Sequence, residues 1–249
     1  MSVVSRRQRE KEQRRKDIIE AAEKLFFKKG YDNVSMNDIA KEVELSKATL
    51  YLYFDNKEAL FFLIILRGAR ILSNMIKERM ESEETGIGKL TAFREAYADF
   101  VNEYSDYFKI YSYFHSGRFD LESLVNNAYL SEFLERRQYS MATSSFMIPT
   151  PSVNEYAIRI LDLGKEIFDI CCNAVKMGLV DGSIQYDVDP VELTTLLIIL
   201  SESMANMRPD LVKELEVNGI SQQEFTKDVG YLLGDMIRFK YPIISRDEK

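Results

Sequence analysis

The sequence predicts an all-α protein, and three observations predict it. Apolar residues recur at three- and four-residue spacing through most of the chain, as in Ile71, Leu72, Met75, Ile76 and Met80. Proline and glycine fall where a helix tolerates them, Pro190 at a helix start and Gly178 after a helix end. No stretch alternates with strand period for long enough to compete. A hydrophobic share of 46% over 249 residues is ordinary for a globular chain with a sizeable core.

The elements follow in order. Ser35 and Asp38 form a capping-box-like pair that starts a helix at about Met36. Met36, Ile39, Ala40 and Val43 face its core, and Glu44 and Leu45 break the run before Ser46, the next N-cap candidate. A short helix from Lys47 to about Tyr53 turns Leu50 and Phe54 inward and leaves Lys47, Thr49, Tyr51 and Tyr53 for a partner surface. Asp55 or Asn56 then caps a long helix running to Met80. Residues 81–90 read as a turn. Further helices are expected at about 91–111, 121–144, 153–177, 190–207 and 222–241.

Residues 35–57 therefore read as two short helices joined by a tight turn, a device for reading DNA. The run from Arg15 to Leu60, with IIEAAEKLFFKKGYDNVS and NDIAKEVELSKATLYLYFDNKEAL, resembles the N-terminal domain of the TetR (tetracycline-repressor-like) family of transcriptional regulators. The first helix, its glycine stop and the lysine after the second short helix, Lys57, all stand in register with that pattern. Ala48 departs from it, standing where many members carry glycine, a change that a helix tolerates. The resemblance implies a DNA-binding domain over residues 1–60. It further implies a helical effector-binding and dimerisation domain over residues 61–249, with a small apolar or amphipathic effector held among its helices.

Charge supports the division. The first sixteen residues hold seven basic and two acidic side chains, a local +5, so the remainder carries −12 in a chain whose net charge is −7. Such asymmetry suits a nucleic-acid contact at one end and an acidic body at the other. Lys47 and Thr49 are the candidates for base edges, a lysine donating to guanine and a threonine methyl touching thymine. Ser35, Tyr51, Tyr53 and Lys57 are the candidates for phosphates, Lys57 adding a cation to a helix N-terminus. Ala48 lies among them on the DNA-facing helix. Removing residues 1–57 is expected to abolish duplex binding and to leave effector binding and dimerisation.

An aromatic stripe follows. Tyr97, Phe100, Tyr104, Phe108 and Tyr111 share one face of the helix expected at 91–111, close to the chain's one histidine, His115. Core packing explains such a stripe, yet phenols want hydrogen-bond partners when buried, so Tyr104, Tyr107, Phe108, Tyr111 and His115 are expected to line the effector pocket. His115 lacks the company that proton transfer or metal binding needs. No catalytic residue, metal or cofactor is expected, and the chain is read as a regulator, a repressor relieved by its effector, rather than an enzyme. Adjacent Cys171 and Cys172 suit a reducing compartment and the filling of a helix interface.

The N-terminus has charge but no apolar segment after it, and Ala59–Leu66 is too short to span a bilayer, so a cytoplasmic protein is expected. One short recognition helix reads too little sequence for selectivity, so a homodimer on a pseudo-palindromic operator is expected. Its candidate faces are Leu193, Leu196, Leu197, Leu200, Met204 and Met207 on one helix. On the last helix they are Phe225, Val229, Leu232, Leu233 and Met236, with Gly230 and Gly234 allowing close approach.

Overall fold

The computed structural model describes residues 6–121 and 153–238, and among these there are ten helices and no strand. In chain order they are α1 (Arg6–Lys29), α2 (Met36–Glu42), α3 (Lys47–Tyr51), α4 (Lys57–Glu81) and α5 (Gly86–Glu103). There follow α6 (Ser105–Phe114), α7 (Val153–Asp181), α8 (Pro190–Ala205), α9 (Pro209–Val217) and α10 (Gln222–Arg238). The all-α class expected from periodicity is the class found. Packing gathers the chain into two units, Met1–Arg70 with Ser105–Leu163, and Ile71–Tyr104 with Gly164–Lys249. Helices α4 and α7 each contribute to both.

The first unit is built on one apolar core. Ile18, Ala22 and Phe26 of α1, Ile39 and Ala40 of α2, and Leu50 and Phe54 of and after α3 are almost wholly removed from water. They share that core with Phe61, Phe62, Ile64 and Ile65 of α4, Ile110 and Phe114 of α6, and Ala157 and Ile160 of α7. The first half of α4 thus completes the N-terminal core, so its packing does not stop at residue 60. By length and apolarity α4 would cross a membrane, but 67% of its most apolar window is buried inside the protein. Phe61 sits among five rings, with centroids 5.2 Å from Phe26, 4.5 Å from Tyr31, 5.9 Å from Tyr113, 6.0 Å from Phe119 and 6.4 Å from Phe62.

Local signals set the early boundaries. Gly30 takes φ 73° at the end of α1, and its N–H reaches the Phe26 carbonyl at 2.9 Å. Asn56 caps α4, its side-chain oxygen accepting from the Ala59 N–H at 2.8 Å. Between α2 and α3 Glu44 adopts φ 53° with a side chain and no glycine to make that easy. The Glu44 side chain is exposed, so the position gains nothing from packing to offset the strain. Glu44→Gly is expected to raise stability by about 0.5–1 kcal/mol, the left-handed penalty less glycine's own chain entropy, measured by urea unfolding. A variant no more stable than the parent would remove the strain argument.

The second unit departs from the expected boundaries in four places. The expected turn at 81–90 is shorter, because Thr85 caps α5 and accepts from the Gly88 N–H at 3.1 Å. The single helix expected at 91–111 is two. It ends at Tyr104, which leaves helical geometry at φ −118°, ψ 39°, while its N–H still bonds the Phe100 carbonyl. The residues around the break, Asn102, Ser105 and Asp106, favour caps over helix interiors, and no glycine or proline announces it. Helix α7 runs four residues past Met177. Helix α9, opened by Pro209 and carrying no buried residue, was not anticipated. The helix expected at 121–144 and the end of the one expected at 222–241 lie outside the described residues.

Cys171 and Cys172 are free and buried, and burial pushes the Cys171 thiol up to about 12. A thiol so far from ionising is a poor nucleophile or metal ligand, which accords with an apolar filling role.

Candidate DNA-reading helix and effector cavity

Helices α2 and α3 carry the residues expected to face DNA. Ser35 caps α2 with a complete capping box: its hydroxyl accepts from the Asp38 N–H at 3.2 Å and donates to the Asp38 carboxylate at 2.5 Å. The Ser35 N–H donates to the same carboxylate at 2.9 Å, and these bonds hold Asp38 below the usual carboxylate range. Ser46 caps α3 in turn, accepting from the Thr49 N–H at 3.0 Å, with the two hydroxyls 2.8 Å apart. Leu50 is fully buried on the inner face of α3. Lys47, Ala48 and Tyr51 are exposed on its outer face, the Lys47 ammonium 5.9 Å from the centroid of the Tyr51 ring. Thr49 and Tyr53 are half-buried beside them.

Two of the expected contacts are already engaged within the chain. The Lys57 ammonium donates to the Tyr31 carbonyl at 2.8 Å and sits 3.9 Å from that ring's centroid, and burial lowers its pKa. Lys57 therefore ties the start of α4 to the end of α1 with one of its three donors and has two left for a phosphate. Ser35 would have to share its hydroxyl with Asp38. Sequence reasoning missed Leu52, which closes α3 and is 79% exposed. Its signal was present in the alternation Tyr51, Leu52, Tyr53, where an apolar residue between two outward phenols cannot also reach the core. Arg15, counted among the basic arm, packs 5.0 Å from the Phe54 ring centroid and donates to the Tyr156 hydroxyl at 3.2 Å. The arm itself is helical from Arg6 onward.

The five residues expected to line an effector pocket are placed differently from one another. Tyr107 donates to the Glu23 carboxylate at 2.7 Å, meets the Phe27 ring edge-on at 5.0 Å, and lies so close to Gly68 that a methyl there would collide with its ring. It docks α6 against α1 and α4 within the first unit. Phe108 is buried in that unit, and the Tyr111 ring meets His115 at a tilt, with centroids 4.6 Å apart. Desolvation between Tyr111 and Phe114 lowers the His115 pKa, although the residue keeps an exposed edge. Tyr104 belongs to the second unit and stacks on Phe100 at 5.6 Å. Among the described residues, a cavity of about 630 Å³ lies instead within the second unit, and none of these five lines it. Its walls come from Arg79 of α4, Arg94 and Asp99 of α5, Ser201 and Met204 of α8, and Thr226, Lys227 and Tyr231 of α10.

A capped helix pair with a buried inner face and a polar outer edge defines a helix-turn-helix protein. Residues 18–64 match the family model of bacterial regulatory proteins of the tetR family. The likeness to that family is carried by this N-terminal segment. It is 52% identical over 48 residues to the uncharacterized helix-turn-helix regulator YuxN of Bacillus subtilis, covering 19% of this chain and 16% of that protein. It is 36% identical over 76 residues to IcaR of Staphylococcus aureus, a negative transcriptional regulator of the biofilm operon icaADBC, covering 30% of this chain and 41% of IcaR. The chain thus spans less than half the length of these curated relatives. Solved structures extend the likeness in fold. A tetR-family regulatory protein from Rhodococcus RHA1 matches with a TM-score of 0.60 and 16% identity over 90% of this chain and 96% of that one. AibR, solved with isovaleryl coenzyme A and operator DNA, matches with a TM-score of 0.56 and 18% identity over 88% of this chain and 97% of AibR.

Proposed function

We propose that the protein is a sequence-specific DNA-binding transcriptional regulator, a repressor that leaves a pseudo-palindromic operator when a small amphipathic effector binds its second unit. The observation that carries this reading is α3, whose inner residue Leu50 is fully buried while Lys47, Ala48, Tyr51 and Leu52 stand exposed along one edge. Lys47 and Thr49 address base edges, Leu52 adds an apolar contact suited to a thymine methyl, and Ser35, Tyr51, Tyr53 and Lys57 address phosphates. The basic turns from Arg6 to Lys16 extend the electrostatic footprint. As a helix about 10–12 Å across they suit the phosphate backbone rather than a minor groove about 6 Å wide.

Repression is supported by IcaR, a negative regulator, and an effector by AibR, solved with an acyl thioester ligand and DNA. The cavity of the second unit is the effector site that the geometry favours, and α4, which contributes to both units, is the element through which its occupancy biases the reading heads. A homodimer is supported by apolar side chains left in water: Leu196 and Ile199 on α8, Leu232 and Met236 on α10 are 46–65% exposed. Gly230, expected to allow a close approach between protomers, packs instead on the Arg94 guanidinium, and Gly234 has open space around it. The cytoplasm is the compartment in which such a regulator meets DNA.

The test is retention of sheared genomic DNA by the full-length protein at moderate salt, followed by sequencing. Enrichment of a short near-palindrome is expected. Lys47→Ala should cost about 1–3 kcal/mol on that sequence and relax its preference there. Lys57→Ala should weaken all duplexes alike, reduce the salt slope by about 1, and lower folding stability because its bond to Tyr31 is lost. Equal losses on specific and random duplexes for Lys47→Ala would remove it from base reading. No enrichment at all would overturn the regulator reading.

A further inference from the structure

The cavity of the second unit is not evenly polar, and its charges do not cancel. Five side chains charged at neutral pH line it: Arg79, Arg94 and Lys227 against Glu95 and Asp99. Arg79 is already matched, its guanidinium 2.6 Å from the Asp99 carboxylate. Glu95 then faces two cations, and one positive charge is left over. Lys227 lies 5.8 Å from the centroid of the Tyr231 ring, a contact that leaves its N–H donors unspent.

Arg94 is the better placed of the two. Among the described residues its one hydrogen-bond partner is the Thr226 carbonyl, at a long 3.4 Å. A guanidinium offers five donors in a planar fork, so most of its capacity is unspent. Its position is nonetheless built. The guanidinium packs so close over Gly230 that a methyl group there would overlap three of its atoms. Gly230 is what lets α10 carry the fork at this spot.

Arg94 also lines a second, apolar crevice that adjoins the cavity and shares Thr91, Ser201 and Met204 with it. Leu90, Phe93, Leu197, Leu200 and Leu233 wall that crevice, whose volume is only about 40 Å³, room for the end of a short alkyl chain. The larger cavity, at about 630 Å³, falls within the usual range for a small-molecule site. An anion-binding fork with a roomy chamber of mixed polarity on one side and an apolar slot on the other fits a head and a tail joined at the fork.

We infer that this cavity binds an amphipathic monoanion, a carboxylate bearing an aliphatic chain, with its acid group on the Arg94 guanidinium. One uncompensated positive charge matches a carboxylate better than a dianionic phosphate monoester. The inference rests on the effector reading above and specifies its chemistry.

The experiment uses the full-length protein and three probes of equal chain length: octanoate, 1-octanol and octyl phosphate. Calorimetric titration at pH 7 is expected to show octanoate binding at least about tenfold tighter than octanol or octyl phosphate, since only the carboxylate satisfies the fork without excess charge. Arg94→Gln should bring octanoate down to the level of octanol. Gly230→Ala keeps the charge but displaces the fork, and should weaken octanoate in the same direction while leaving octanol unchanged. Far-UV circular dichroism checks that each variant is folded, and if Arg94→Gln is not, Gly230→Ala decides.

Octanol equal to octanoate, preference for octyl phosphate, no binding of octanoate by the wild type, or an unchanged octanoate affinity in a folded variant would each overturn the inference. Duplex retention measured on the same preparations separates the two readings. Octanoate bound by a protein that enriches no duplex would refute the regulator and leave the ligand class standing. A specific duplex retained by a protein indifferent to octanoate would do the reverse.

Discussion

Gly86→Ala is expected to lower the stability of the second unit by about 3 kcal/mol or more, at the upper end of what one added methyl does in a packed interior. Gly86 is the first residue of α5, and a β-carbon there would overlap the backbone of Gly178 and the Ala174 carbonyl in α7. Side chains can swing away from such an overlap, whereas two helix backbones must separate. The separation would also open the caps that join these ends. The Gly86 N–H donates to the Asp181 carboxylate at 2.8 Å and the Ile87 N–H to the Ser183 hydroxyl at 3.2 Å. Folded domains hold only about 5–15 kcal/mol in reserve, so the loss is a large share of the total. Urea unfolding followed by circular dichroism should show the midpoint falling sharply. Ala98→Gly, a change of one methyl at a half-buried wall position in the same helix, should cost only about 1 kcal/mol. Near-equal losses for the two variants would show that the close approach of α5 and α7 contributes nothing.

Phe61→Ala is the second large effect, an expected loss of about 3–5 kcal/mol. Its ring is fully buried and meets Phe26, Tyr31, Tyr113 and Phe119, so truncation opens a cavity that no neighbour can fill without moving α1, α4 and α6 apart. The Tyr31 carbonyl that holds Lys57 belongs to the same group, so duplex binding should fall with stability. Phe61→Leu should cost clearly less, because it keeps most of the volume. Chemical denaturation gives the stability and fluorescence anisotropy on an enriched duplex gives the binding. A Phe61→Ala protein as stable as its parent would contradict the assignment of this ring as the centre of the core.

The same core changes what a truncation can show. Removing residues 1–57 was expected to separate DNA binding from the remaining activities. In the structure that cut strips Ile18, Phe26, Ile39, Leu50 and Phe54 from the residues they cover, among them Phe61, Phe62, Ile64 and Ile65. The remainder would expose a large apolar surface and associate. Point substitutions on the outer edge of α3 are the sound way to isolate DNA reading.

Local chemistry alone determined the first sixty residues in some detail. The Ser35 and Asp38 box, the Ser46 cap, the glycine stop at residue 30 and the inward Leu50 and Phe54 are each set by neighbours three or four positions away, and each is found in place. The outward edge of α3 followed, since whatever the inner face does not take must face solvent or a partner. Helical periodicity likewise fixed the all-α class, although the break at Tyr104 and the helix α9 escaped it, because neither carries a strong stop or a buried stripe of its own.

Tertiary structure decided what distant residues do to one another. Tyr107 looked like a pocket phenol until Glu23, 84 positions away, took its hydroxyl. Lys57 looked like a free cation until the Tyr31 carbonyl bound it, and Gly230 like a contact between protomers until Arg94 lay on it. The cavity itself is assembled from α4, α5, α8 and α10, segments spread from Arg79 to Tyr231. Caps and periods are written in neighbouring residues, but a cavity is the space left between helices, and that depends on packing that no single stretch of sequence contains.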